Sequence, residues 1–184
     1  AMQQILDAIQ SGASGDDIAN LSGIFDFGLV DGTAIDGGLG TDTLNLMGDV
    51  DRSIEDDIVD FDLINKTGTN NWTIDADVDA YNSVTVAAGG LFINGALDAN
   101  TNGVQIDAGA TFGGEVDITG DLVVDGTVAP GDGGMGTVTV SGEPSPQSIV
   151  NSCVSSVPTS LYVPVKCTVP FSSTDVAARL SITG

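Results

Sequence analysis

Val84-Thr85-Val86-Ala87-Ala88-Gly89 is answered about 20 residues later by Val104-Gln105-Ile106-Asp107-Ala108-Gly109, and more loosely by Leu122-Val123-Val124-Asp125-Gly126. Each run alternates apolar with polar residues and closes on a glycine or a glycine-bearing turn, the pattern of a short β-strand. Recurrence at this period is the signature of a solenoid. One such strand turn cannot bury its apolar face alone, so it must stack on its neighbours. Alternate side chains point to opposite faces. Val84 and Val86 are therefore expected inward, with Val104 and Ile106 one coil above, about 4.8 Å away through backbone hydrogen bonds. Each fully buried Val, Leu or Ile contributes about 1.5–3 kcal/mol. Conformational entropy cancels most of that sum, so neighbouring coils must cooperate. The terminal coils expose strand edges, which invite aggregation unless capped.

Working outward, strands are expected at 72–78, 83–88, 91–97, 103–108, 115–119, 121–128 and 136–141, separated by Gly and Asn at turns. Toward the N-terminus, 36–48 reads as a glycine-rich turn and a strand with Leu44 and Leu46 on one face. Ile54, Ile58 and Phe61 in the acidic stretch 49–62 fit either a helix face or a strand. Residues 16–35 read as strands and loops. Met2, Ile5, Leu6 and Ile9 have the spacing of a short amphipathic helix, ended by Gly12 and Gly15. After Gly142, Pro144 and Pro146 break the repeat, and strand-like runs follow at 160–163, 165–169 and 177–183. They predict either further coils or a small β cap. The domain reading is thus 1–35 as an N-terminal helix, cap or preceding coils, 36–142 as the β-helix, and 143–184 as a Pro/Ser-rich β extension or cap.

The 184 residues hold 26 acidic and 4 basic side chains, a net charge of −22. Such a surface repels nucleic acid and anionic membranes, because phosphate binding relies on Lys and Arg. The 41% hydrophobic content and the strand alternation argue against disorder. Beyond Gly142 the charged residues Glu143, Lys166, Asp175 and Arg179 sum to zero, so residues 1–142 carry the whole −22. Outward Asp75, Asp77, Asp107, Asp117 and Asp125 are expected to aid solubility and discourage edge pairing. Cys153 and Cys167 read as a disulfide, worth about 3 kcal/mol if unstrained, against the alternative of two reduced thiols. A disulfide places the chain outside the cytosol. No apolar run approaches the roughly 20 residues of a membrane helix. The opening Ala1-Met2 carries no signal-peptide pattern, and the chain reads as a piece of a longer secreted protein.

Candidate chemistry is sparse. Gly37-Gly38-Leu39-Gly40-Thr41-Asp42-Thr43-Leu44-Asn45 matches a calcium-binding nonapeptide, in which Asp42, assisted by Asp36, would offer carboxylate oxygen to calcium. Calcium in such rolls sits between successive copies and one copy is present here, so a plain β-turn is the leading reading and no cofactor is expected. Asp49 to Glu55 superficially suggests an EF-hand loop, but the sixth position, where glycine is required, is Ile54. The chain has no histidine, which removes the commonest general base. Paired carboxylates could serve glycoside hydrolysis, but only Arg52, Lys66, Lys166 and Arg179 are available to hold an anionic sugar, and the chain is read as non-catalytic. Trp72 and Tyr81 could meet a sugar face; packing at a coil corner is the preferred reading for both.

One ordered series goes further. Asp36-Gly37-Gly38-Leu39-Gly40-Thr41-Asp42-Thr43-Leu44-Asn45-Leu46 is followed by Phe61-Asp62-Leu63-Ile64-Asn65-Lys66-Thr67-Gly68 and by Trp72-Thr73-Ile74. Then come Val84-Thr85-Val86-Ala87-Ala88-Gly89-Gly90-Leu91, Thr127-Val128-Ala129-Pro130-Gly131 and Gly136-Thr137-Val138-Thr139-Val140. The series resembles the C-terminal passenger repeats of bacterial autotransporters, the type V secretion proteins. In that family K-T-G…W-T leads into V-x-V-x-x-G-x-L, and the run ends with A-P-G and a G-T-L-T-V strand. The resemblance spans residues 36–142. It implies a right-handed parallel β-helix that reaches the cell surface or medium through the periplasm and outer membrane, with a cognate outer-membrane β-barrel translocator as partner. It also implies that this passenger region starts folding outside the cell. The two cysteines depart from the family habit of avoiding cysteine.

The expectation is therefore an all-β right-handed parallel β-helix with a short N-terminal helix and a C-terminal β cap or extension. Its expected role is that of a structural, folding-promoting stalk of an adhesin-type passenger, with a host-surface or self-association partner, no nucleic acid and no membrane insertion. The alternatives are a calcium-dependent secreted binding module and a non-catalytic part of a β-helical carbohydrate-active enzyme.

Overall fold

In the computed structural model the described residues are 18–22, 34–132, 135–142 and 178–183. They begin with β1 (Ile18–Ser22). Three strands then make each coil. The first coil is β2 (Ile35–Asp36), β3 (Thr43–Met47) and β4 (Arg52–Ile54). In the second, the first two positions merge into one bent strand, β5 (Ile58–Lys66), followed by β6 (Asn71–Ile74). The third repeats this with β7 (Val78–Val86) and β8 (Gly90–Ile93). The fourth is β9 (Gly95–Asp98), β10 (Gly103–Ile106) and β11 (Thr111–Gly114). The fifth is β12 (Val116–Thr119), β13 (Leu122–Val124) and β14 (Thr127–Pro130). β15 (Thr137–Gly142) opens a sixth, and β16 (Ala178–Thr183) lies antiparallel beside it.

Every other strand pairing is parallel, and each joins a strand to its counterpart one coil away. An 11-stranded sheet carries the first and second strand columns, and a 5-stranded sheet carries the third. The described residues form a parallel β-solenoid of about five coils. β16 falls on the run 177–183, which the sequence reads as strand-like. The expected N-terminal helix, the strand runs at 160–163 and 165–169, and Cys153 and Cys167 lie outside the described residues.

Strand boundaries differ from the sequence reading at the corners. The expected strand 72–78 stops at Ile74, 91–97 divides at Asn94, and 121–128 divides at Asp125 and Gly126. An apolar run through a sharp corner reads as one strand in sequence. β11 was not foreseen, because Gly113 and Gly114 disguise it as a turn. A side chain at Gly113 would strike the Ala129 carbonyl of the next coil, and one at Gly114 the Ile93 carbonyl of the previous one, so backbone proximity demands glycine there. The ambiguous stretch 49–62 holds β4 and the start of β5, joined by a corner at 55–57, and no helix.

The interior consists of aligned columns. Leu44, Ile64, Val84, Val104 and Leu122 stack in register. Ile58, Val78, Leu97, Ile118 and Val140 form a second such column, and Trp72, Leu91, Phe112 and Val128 a third. All are buried. The inward placement of Val84, Val86, Val104 and Ile106 is as the alternation predicts.

Two opposed bulges keep β5 and β7 in step. Between the pairs Ile58–Val78 and Phe61–Ala80, Val59 and Asp60 face the single Asp79. Between Phe61–Ala80 and Leu63–Ser83 the extra residue is on β7. The first bulge puts Asp60 at φ 55°, a left-handed backbone uncommon outside glycine. Its carbonyl turns toward Gly37, where a Cβ would lie 2.3 Å from that oxygen. Because the two insertions cancel, both ends of the strand pair at the same sequence offset.

Gly103 and Gly109 provide an internal test of close coil packing. Both have positive φ, 70° and 89°, but a Cβ at Gly103 would lie 2.1 Å from the Asp121 carbonyl, whereas one at Gly109 meets nothing within 4 Å. The backbone penalty of about 1–2 kcal/mol applies to both. Gly103→Ala is expected to lower the urea midpoint clearly more than Gly109→Ala; equal losses would rule out the close approach of these two coils.

Candidate functional site

The chemistry of this solenoid lies at its corners. Asp36 ends β2, and its Oδ1 accepts a hydrogen bond from the Gly38 N–H at 2.8 Å, which closes a tight turn. Asp42 is fully buried. Its N–H donates to Asp62 Oδ2 at 2.8 Å, and its carbonyl accepts from the N–H groups of Asp62 and Leu63, both at 3.0 Å. The two candidate calcium ligands thus take part in the turn and in the link to the next coil. Among the described residues, no group of three or more His, Cys, Asp or Glu side chains is placed to hold a metal ion.

The outward aspartates do more than solvate the surface. Asp57 Oδ1 accepts from the Asp77 N–H at 3.1 Å, and Asp77 Oδ1 accepts from the Ala96 N–H at 2.8 Å. Asp51 Oδ1 accepts from the Asn71 N–H at 2.7 Å. Asn94 donates to Asp75 Oδ1 at 2.6 Å and accepts from the Glu115 N–H at 3.0 Å. At a corner the chain leaves the strand ladder, and its N–H groups need other acceptors. A side-chain oxygen one coil away supplies them, as a charge-assisted bond where it is a carboxylate. Counting charge in the sequence could not reveal this, because the partners are separated by a whole coil.

The first strand column brings carboxylates into register. Asp79 pairs directly with Asp98 across β7 and β9. Partial burial raises the Asp79 pKa above the ordinary carboxylate value, and the neighbouring charges of Asp98 and Asp60 push the same way. Burial is the larger cause, and stacking like residues at the strand spacing adds to it.

Lys66 is the largest departure from what its sequence context suggests. It holds an inward position, in register between Leu46 and Val86, and is fully buried. Its ammonium reaches the corner and donates to the carbonyls of Thr67 at 3.1 Å, Gly68 at 3.0 Å and Ala88 at 3.0 Å. Three donors meet three acceptors from two successive coils. Burial lowers the Lys66 pKa, and the charge of Asp51 opposes that shift. Trp72 is buried nearby, with its Nε1 donating to the Met47 carbonyl at 3.1 Å. It packs as expected and offers no face to a sugar. Tyr81 does the opposite of what was expected: it sits on the compensating bulge of β7 and is 66% exposed.

No family model matches the chain, and comparison with curated proteins and with solved structures returns no match.

Two measurements follow. Asp79 holds its proton more tightly folded than unfolded, so in the window above the unfolded carboxylate value the native state binds more protons, and stability falls as pH rises through it. Asp79→Asn is expected to flatten that decline in chemical melts at pH 4 to 7; an unchanged slope contradicts the stacked pair. Lys66→Met leaves three corner carbonyls without the ammonium, and an unsatisfied buried group costs about 1–3 kcal/mol. A drop of about 3 kcal/mol in unfolding free energy is expected, and a neutral outcome would show that water replaces the ammonium without loss.

Proposed function

We propose that this chain is a structural segment of a secreted or surface-displayed passenger of autotransporter type, serving as a β-helical stalk whose stacking promotes folding outside the cell. The observation that carries this reading is the placement of the ordered motifs on the coils. Residues 36–46 make the start of the first coil, and Phe61–Gly68 with Trp72–Ile74 span the second. Residues 84–91 fall on the third, and 127–131 with 136–140 on the last described turns. The motifs thus supply strands and corners of the first three coils and of the fifth coil and the strand after it, in chain order, in keeping with a repeat architecture. The K-T-G motif has a physical role in this frame, since Lys66 bonds the Thr67 and Gly68 carbonyls.

Stacking makes folding directional. A completed coil offers an ordered edge to the next, so each coil added outside a membrane opposes backsliding. The large negative charge supports a solvated, extended role and disfavours contact with polyanions.

The test joins this chain, in its natural orientation, to an outer-membrane β-barrel translocator with an N-terminal tag. Protease-accessible tag at the cell surface is the readout. Display is expected, together with resistance of the stalk to light proteolysis, and Val84→Asp with Val104→Asp is expected to cut display several-fold. Equal display by the doubly substituted chain would overturn a folding-promoting role.

A further inference from the structure

The second strand column differs from the rest of the surface in one respect. It is built from β1, β3, the C-terminal halves of β5 and β7, β10 and β13. The only charged residue in these strands is Lys66, and it is buried. The outward residues include Asn20, Asn45, Asn65, Thr85 and Gln105, stacked one per coil. In a chain of net charge −22 this is a strip of uncharged outward side chains, bordered by Asp62, Asp107, Asp121 and Asp125; Gln105 donates its amide to Asp107 Oδ1 and Asp125 Oδ2, both at 3.4 Å.

The strip is also ordered. Asn65 donates its amide to Asn45 at 3.1 Å, and Asn45 donates to Asn20 at 2.8 Å. An amide has two N–H donors and two acceptor lone pairs, and this ladder uses one N–H of each donating side chain. The remaining capacity is held at the coil spacing of about 4.8 Å, with its side-chain entropy already spent. At the edge nearest the first column stands the exposed Tyr81, next to the side-chain hydrogen bond from Asn102 to Asn82.

We propose that this column binds an uncharged polysaccharide laid along the stack. The surrounding acids repel polyanions, and the column exposes no ammonium or guanidinium to hold them, since Lys66 is buried. A polycation would instead choose the first column, where Asp79 and Asp98 stand together. An apolar partner would meet mostly amides and hydroxyls, whose desolvation it could not repay. A neutral chain of hydroxyls matches the free donors and acceptors of the Asn20, Asn45 and Asn65 ladder and the Thr85 hydroxyl, and its C–H face suits the ring of Tyr81. Because the surface is flat, each sugar contributes little, and binding rises with polymer length. The proposal does not depend on the passenger reading.

The full chain is run in native gels containing dextran, galactomannan or hydroxyethylcellulose, with polygalacturonate as the anionic control, and mobility is compared with that in a plain gel. Retardation is expected in at least one neutral polysaccharide and not in polygalacturonate. Thr85→Asp and Asn65→Asp are expected to weaken it at least tenfold, and Tyr81→Ala at least threefold. Ser53→Asp, which adds the same charge on the third column, is expected to change it less than twofold. Circular dichroism melts confirm that each variant is folded at the gel temperature. Absence of retardation in all three neutral polymers overturns the proposal, as does equal loss in Ser53→Asp. Sedimentation showing a dimer that Thr85→Asp dissociates would assign the strip to a second copy of the chain and equally overturn it.

Discussion

Each coil must bring the chain back beneath its own inward column, one strand spacing away. Backbone hydrogen bonds between coils set that spacing, and the period-2 geometry of strands makes it unforgiving. A slip of one residue would turn every inward side chain of a strand to solvent. The features at the corners follow from this. Glycine occurs where one backbone crowds another, aspartate and asparagine take up N–H groups that leave the ladder, and paired bulges in β5 and β7 cancel so that the second column closes in register. The last full coil shortens the path from Val104 to Leu122, yet the two residues still pair.

Much of this was legible in sequence, since the alternation Val84-x-Val86 and Val104-x-Ile106 specifies both strand type and facing. The repeat implied stacking without any structure. Corners were less legible. A strand run such as 91–97 has no local mark separating the residues before Asn94 from those after it, because the bend is imposed by pairing to other coils. β11 was hidden for a related reason: its glycines answer to the carbonyls of Ala129 and Ile93, which are distant in sequence. The burial of Lys66, counted in sequence among the cations available to an anionic sugar, was hidden because nothing adjacent to it discloses the Ala88 carbonyl, which belongs to the next coil.

The distribution of charge carries a similar lesson. A net −22 reads as a uniform coat, but the solenoid sorts its polar residues by column. Carboxylates gather at corners and on the first column, where they bond N–H groups or crowd one another. Amides and hydroxyls take the second column. Sorting of this kind arises because one sequence position per coil recurs at the same place on the surface, so a small compositional bias becomes a continuous stripe. Asp79 and Asp98 show the unfavourable side of that recurrence, and the asparagine ladder the favourable one.

Repetition also creates an ambiguity that the apolar columns cannot resolve. Val84, Val104 and Leu122 are nearly interchangeable, so a misthreaded stack displaced by a whole coil would bury almost the same surface. Lys66 is different. Its ammonium keeps the Thr67 and Gly68 carbonyls of its own coil in any alignment, but it reaches the Ala88 carbonyl only when the following coil stacks in its native place. A buried cation in one coil of an otherwise degenerate array therefore favours the native alignment over near copies of it by one inter-coil carbonyl contact, at a position where hydrophobic packing alone does not discriminate.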